Sequence, residues 1–508
     1  MTLLQPPVLA PTTLPDIQLA PPAPAASSKT PRLLSLDVFR GITIAAMIMV
    51  NQMDDPKYDA LEHAPWHGWT LTDLIFPFFL FIVGVAIPFS FARRSVTTEQ
   101  TRAALLGRVW LRALSIFMLG QLLFAFPMPL NHALPAGFWG FKSLRLFTFI
   151  FVWGGMIALL VPWKSRRLRI WIPPAIAVGF YLLMIAMHYA RARAEAAGWP
   201  RDSFGGGIFN PDNLRIPGVL QRIGIVYGFA GTIALFAGRR TIIGAIILLC
   251  ALYSYLMLAV PYGPNHTRGK LEFNDNLARY VDEKVFDRYT VDENGERHYT
   301  QRHTYRVYPD NEGLLSTIPA ICTTLLGILV GLSLKNDRPP VERAAGLLAM
   351  GVPVLIIGCL LNWWLMPINK ILWTPSYVFF TAGLAMLLLG FLFWIIDVRG
   401  RKRWTLPVVI LGMNAIAAYV AAAILPRLLN LIRLHEPAAA EDKKIGLYSL
   451  LHEQFSLGLQ QAGDWVAQHA HLLVATPKNL TLANSLFLVL IVWLVMAVMY
   501  VFKVFVKV

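Results

Sequence analysis

Charge is scarce in this chain. Of its 508 residues only 15% are Asp, Glu, Lys or Arg, and the 29 acidic residues are outnumbered by 45 basic ones. Soluble domains carry about 25% charged residues, so a water-soluble enzyme of this length would lack the surface charge it needs. Cysteine is also rare, at three residues. Cys250, Cys322 and Cys359 all fall inside apolar runs, which excludes a disulfide framework and suggests no metal site. No internal repeat is evident, which disfavours a carrier built from inverted repeats. The N-terminal segment has neither the basic start nor the apolar core of a signal peptide. Its Pro- and Ala-rich composition (Pro21-Pro22-Ala23-Pro24-Ala25-Ala26) predicts a disordered cytoplasmic tail over residues 1–31.

What the chain has in quantity is apolar sequence: 56% of residues are hydrophobic. They come in runs of about twenty, the length a helix needs to cross roughly 30 Å of hydrocarbon. The expected fold is therefore all-α, a polytopic transmembrane bundle of about 12 helices over residues 32–508. Helices are expected near 34–53, 71–92, 109–126, 145–162, 170–189, 217–237, 241–260, 314–334, 344–365, 371–396, 405–430 and 481–502. The formal charge of +16 would suit nucleic acid, but the basic residues lie between apolar runs, on alternate sides. They cluster at Arg93 to Arg112, Lys164 to Arg169, Arg239-Arg240, Lys335 to Arg343, Arg399 to Arg403, and Lys503 with Lys507. With twelve spans these fall on one side, which the positive-inside rule makes cytoplasmic, together with both termini. The expected partner is membrane lipid, not nucleic acid. The loops near 54–70, 127–144, 190–216, 262–312, 366–370 and 431–480 then face outward. The 262–312 loop is long and mixed in charge, and is expected to form an outer cap in which Glu283 is a solvated charge.

Polar groups in or beside a span cost several kcal/mol unless paired, so each is a functional candidate. Asp37 and Arg40 share one face of the first helix and can pair, with Arg40 snorkelling to headgroups. Asn51 ends that helix as an interfacial cap or an interhelical hydrogen-bonding group. Thr70 and Asp73 form a capping-box-like start to the second helix, a sufficient structural reason for both. His63 and His67 have no such explanation. An imidazole titrates near neutrality and serves as base, nucleophile or shuttle. A metal held by the two is disfavoured because Pro65 breaks the helix that would align them. Arg215 introduces the sixth helix, Gln221 and Arg222 lie a turn or more inside it, and Asp310-Asn311-Glu312-Gly313 precedes the eighth. Asn369 and Lys370 sit in a tight outer turn, and Asn414 lies toward the cytoplasmic end of the eleventh. Gly224 with Gly228, and Gly327 with Gly331, mark close helix packing.

In order along the chain, these clusters resemble the family of heparan-α-glucosaminide N-acetyltransferase and its bacterial relatives. The resemblance rests on Ser35-Leu36-Asp37-Val38-Phe39-Arg40-Gly41, Asn51, His63-Ala64-Pro65-Trp66 and Leu71-Thr72-Asp73-Leu74-Ile75-Phe76-Pro77. It continues through Arg215-Ile216-Pro217-Gly218-Val219-Leu220-Gln221-Arg222, Glu312-Gly313, Asn369-Lys370 with Trp373 and Ser376-Tyr377, and Gly412-Met413-Asn414. It covers roughly 32–127 and 212–505. The animal enzyme's N-terminal lumenal piece is unmatched, and an extra helix pair near 145–189 stands on this chain alone.

The resemblance implies an acetyl-CoA-dependent N-acetyltransferase of the bacterial inner membrane. It would move acetyl from cytoplasmic acetyl-CoA to the amine of a glucosamine-like sugar on the periplasmic side. By motif position His63 is the expected catalytic histidine, with Asn51 donating to the developing oxyanion and Asp73 orienting the imidazole. Asp37, Arg40, Arg215, Gln221, Arg222, Asn369, Lys370 and Asn414 are expected to line the path of the donor, with no metal required. The resemblance leaves room for a homodimer. Two other readings fit the residues: transfer to a hydroxyl of an envelope glycan or lipid-linked sugar, and solute transport. A carrier would need no acyl-CoA and would bind solute without His63.

Overall fold

The computed structural model describes residues 33–92, 99–125, 139–196, 198, 214–293, 296–303, 310–435, 444–470 and 476–506. The tail expected over 1–31 lies outside the described residues, as do Arg93 and Arg94. So do most of the 127–144 and 190–216 loops.

Every apolar run of the sequence folds as a helix. In chain order they are α1 (Leu34–Asn51), α2 (Leu71–Ala92), α3 (Glu99–Ala125), α4 (Trp139–Leu160), α5 (Arg166–Ala196), α6 (Val219–Phe236) and α7 (Arg239–Ala259). A short α8 (Leu277–Phe286) follows, then α9 (Thr317–Leu334), α10 (Pro340–Trp364), α11 (Pro375–Phe393), α12 (Leu406–Met413), α13 (Ala415–Leu429), α14 (Leu447–Ala470) and α15 (Pro477–Val501). Among the described residues ten helices are long and apolar enough to cross a membrane. The protein is an all-α, multi-pass membrane protein.

The structure departs from the sequence expectation in three places. The helix expected over 405–430 is broken at Asn414 into α12 and α13, which meet at 83°. Asn414 spends its side chain outside the helix: its amide donates to the Val504 carbonyl at 3.0 Å, and its oxygen accepts from Val506 N–H at 2.9 Å. Second, α14 lies in the 431–480 segment, where the charged and polar residues among its apolar ones hide a helix from a search for spans. Third, the cap is structured: α8 runs into a hairpin of β1 (Asp287–Val291) and β2 (Arg297–Arg302). Glu283, expected in solvent, is buried and paired with Arg297.

Close helix approaches fix where the polar residues sit. A Cβ on Gly84 would meet the Thr324 carbonyl at 2.1 Å, and one on Gly327 would meet the Phe81 carbonyl at 2.2 Å, so α2 and α9 cross with backbones in contact. Gly224 approaches Ala113 in the same way, which clamps α6 to α3. Gly412 lies against the Asp37 carbonyl and Gly41 against that of Val408, joining α12 to α1. Small residues that let helix backbones touch are the usual source of packing in lipid. The cap has its own small core, in which Tyr253, Met257, Leu277, Met366 and Leu372 are buried and Trp66 packs against them.

Candidate active site

The second helix begins at the end of the bundle away from the basic loops, and Asp73 lies in its first turn. Its two carboxylate oxygens have different roles. Oδ2 accepts from the backbone N–H groups of Ala64 and Thr70, both at 3.1 Å, and from the Thr70 hydroxyl at 3.2 Å. Oδ1 faces His63 Nδ1 at 2.7 Å and Lys370 Nζ at 3.3 Å. The helix-start contacts and the contact with the imidazole are therefore both present, one on each oxygen. An ionised carboxylate only accepts, so His63 Nδ1–H donates to Asp73 and the lone pair of the imidazole is on Nε2. The His63 side chain is 53% exposed while that of Asp73 is 1% exposed, so an accessible imidazole stands on a buried support.

Lys370 completes the cluster, with Nζ 3.0 Å from His63 Nδ1 and 3.3 Å from Nε2. Burial pulls its ammonium below the ordinary lysine value, while Asp73 and Glu312 pull the other way. The turn that carries it is held under backbone strain. Trp373 is buried with φ of 53°, a conformation costly for a bulky L-residue. Its indole donates to Thr323 at 3.1 Å and lies edge-on to Phe76 and Tyr377. Asn369 uses its amide to tie this turn to the histidine loop, donating to the Trp66 carbonyl at 2.9 Å and to His67 Nδ1 at 3.3 Å. His63 and His67 thus have separate partners. Burial lowers the His67 pKa, with Glu272 of the cap opposing. Trp66 closes the arrangement, its Nε1–H donating to the Leu271 carbonyl at 2.9 Å.

Behind this cluster lies a buried charge network. Arg215 pairs with Asp310 at 2.8 Å and with Glu312. Burial works against its charge, yet the two carboxylates leave its pKa above the ordinary arginine value. Arg222 donates to the Gly313 carbonyl at 3.0 Å and to Ser316, and lies 5.2 Å over the Trp373 ring. Its Nε and Nη1, both amide atoms of Gln221 and Oδ2 of Asp282 are buried without partners in the fold. Such orphans are rare in native interiors and mark a place for water or a ligand.

The sequence candidates divide by end. His63, Asp73, Asn369 and Lys370 form one hydrogen-bonded group, and Arg215, Gln221 and Arg222 lie behind it. Asn51 ends α1 exposed, with no side-chain hydrogen bond among the described residues. Asp37, Arg40 and Asn414 sit at the other end of the bundle. There Arg40 bonds Asp37 at 3.3 Å and the Gly412 carbonyl at 3.4 Å, and Asn414 holds residues 504–506. Arg40 lines a cavity of about 150 Å³ that extends along α2 as far as Phe79. Asp282 of the cap carries no local signal in the sequence, because only the fold buries it.

This geometry gives the comparisons their meaning. No family model matches the chain. The heparan-alpha-glucosaminide N-acetyltransferase of Homo sapiens is 26% identical over 440 residues, covering 78% of this chain and 53% of the human protein. That of Mus musculus is 25% identical over 444 residues, covering 78% and 54%. The chain is a relative of these N-acetyltransferases. It spans about half the length of the curated N-acetyltransferases it matches.

Asp282 supplies a pH test of the cap. Burial pushes its carboxyl up to about 7; the Leu314 N–H and Arg222 oppose this and Asp310 adds to it. A carboxyl whose folded pKa exceeds its unfolded value stabilises the fold fully in acid and loses that contribution as pH rises through the folded pKa. The unfolding temperature should therefore fall as pH rises from about 4 to about 7 and level off above that, and Asp282→Asn should flatten that dependence. An unchanged slope in the variant would assign the pH dependence to another group.

Proposed function

We propose that the chain is a membrane acetyltransferase that takes acetyl from acetyl-CoA at the basic end and transfers it to the amine of an amino sugar at the His63 end. The observation that carries the reading is the Asp73–His63–Lys370 cluster, in which a buried carboxylate orients an accessible imidazole. It stands in a chain related to N-acetyltransferases of a glucosaminide. The basic end is taken as cytoplasmic, by its loops, and the membrane as a bacterial inner membrane.

The path of the donor follows α2. The cavity that begins at Arg40 reaches Phe79, six residues from Asp73, or about 9 Å along the helix. A pantetheine arm threading this cavity brings its thioester toward His63.

At the site, the His63 Nε2 lone pair has two uses. It attacks the thioester carbonyl, so that an N–C bond forms, the C–S bond breaks and CoA leaves as thiolate; the acceptor amine then takes acetyl from the imidazole. Alternatively it removes the amine's proton as the amine attacks the thioester directly. In both, the Lys370 ammonium lies where negative charge develops, and Asp73 stabilises the imidazolium.

Purified protein, acetyl-labelled CoA and glucosamine test the reading. N-acetylglucosamine should accumulate with release of free CoA thiol in equal amount. Binding of glucosamine with no acetyl transfer at any CoA concentration would sink it and favour transport.

A further inference from the structure

A cavity at the basic end opens beside α4 and α5, the helix pair outside the stretches that carry the resemblance. It measures about 720 Å³ and is walled by α3, by the inserted pair α4 and α5, and by the end of α2. Four arginines line it: Arg108 and Arg112 on α3, Arg166 and Arg169 at the start of α5. No Asp or Glu is among its described lining residues. Four arginines converging on one concavity form a place for a multiply charged anion. The guanidinium of Arg112 is oriented over the Tyr227 ring at 5.0 Å. Trp163 adds an aromatic wall, its Nε1–H fixed to the Ala158 carbonyl at 2.8 Å.

This cavity borders the one that extends along α2 to Phe79. Ser90, Arg112 and Tyr227 line both. An anion held by the arginines therefore sits at the mouth of the path that runs along α2 to Phe79.

We infer that the inserted helix pair builds a phosphate-ester subsite, and that it takes the phosphorylated adenosine head of the acetyl donor. Fork-shaped guanidinium groups match phosphate oxygens in pairs, and the Trp163 wall gives the adenine a flat surface to stack on. This deepens the acetyl-CoA reading and rests on it. It also gives the α4–α5 pair a function. Arg166 and Arg169 lie outside the stretches that carry the resemblance. The same chemistry would hold the headgroup of an anionic lipid.

The experiment compares acetyl-CoA with acetyl-pantetheine, which carries no phosphate, as donors to glucosamine. Wild type and the double variant Arg166→Gln, Arg169→Gln are assayed in nanodiscs of neutral lipid and of lipid containing phosphatidylglycerol. Both arginines are exposed, so their removal leaves the packing intact. The KM for acetyl-CoA should rise about tenfold or more, the loss expected of a charge-assisted contact, and the preference for acetyl-CoA over acetyl-pantetheine should shrink by the same factor. A preference that stays at its wild-type value, with transfer intact, overturns the subsite and leaves the acetyltransferase standing. Loss of tightly held phosphatidylglycerol in native mass spectrometry, with the donor preference unmoved, also overturns it by naming the lipid as occupant. Failure of wild type to use either donor overturns the acetyltransferase reading itself, and the subsite with it.

Discussion

His63→Ala should lower acetyl transfer by about a hundredfold to ten-thousandfold, the range seen when a positioned acid–base group is removed. The protein should still fold. The imidazole is half exposed, and without it Asp73 keeps its bonds to Ala64 and Thr70 through Oδ2 and to Lys370 through Oδ1. Asp73→Asn makes the sharper test. Its amide oxygen can still accept from the Ala64 and Thr70 N–H groups, so the helix start survives. Its NH2 would then face His63 Nδ1, which must become an acceptor, and the imidazole proton would move to Nε2. A base with the wrong tautomer loses about as much rate as one that is absent. His63→Ala should keep a wild-type unfolding temperature, Asp73→Asn should lower it because Lys370 loses its carboxylate, and both should show little turnover. Near wild-type turnover in purified His63→Ala would remove the histidine from the chemistry, whatever happened in Asp73→Asn. An acetyl group recovered on His63 when the acceptor is withheld would assign the covalent route.

Much of this arrangement is legible without the fold, for physical reasons that differ between residues. The spans are readable because lipid imposes a length and a composition on each helix, and all twelve runs fold as helices. His63 stands out because nothing local explains an imidazole in that loop. Asp73 is readable as a cap from its three-residue spacing to Thr70, but its second oxygen shows its use only when the loop folds back. Lys370 lies 307 residues from His63. No local pattern can bring those two together; the crossing of α2 on α9 and the strained turn at Trp373 do. The bend at Asn414 is hidden because an apolar helix and two apolar half-helices read alike, and the deciding contacts come from residues 504–506. Arg108, Arg166 and Arg169 are visible only as markers of the basic side, since their convergence on one cavity depends on how α3 packs with α4 and α5.

The second large effect concerns sidedness. In sealed inside-out vesicles, external acetyl-CoA should acetylate an amino sugar trapped in the lumen, whereas an acceptor supplied only outside should react poorly. The two proposed substrate regions lie at opposite ends of α2. Ser90, at the mouth of the arginine-lined cavity, and Asp73, which holds His63, are seventeen residues apart, or about 25 Å along a helix. That separation approaches the roughly 30 Å thickness of the hydrocarbon core. Free acetyl-CoA carries several charges and cannot cross that core, and a free amino sugar crosses poorly. Each substrate should therefore be usable only from its own face, with the protein interior carrying the acetyl group between them. The proposed coenzyme face is taken as cytoplasmic by its basic loops, and inside-out vesicles expose it. Right-side-out vesicles should give the opposite pattern, reacting only when acetyl-CoA is loaded inside. Efficient use of both substrates from one face of a sealed vesicle would exclude transfer across the membrane and leave an acetyltransferase with its two pockets joined on one side.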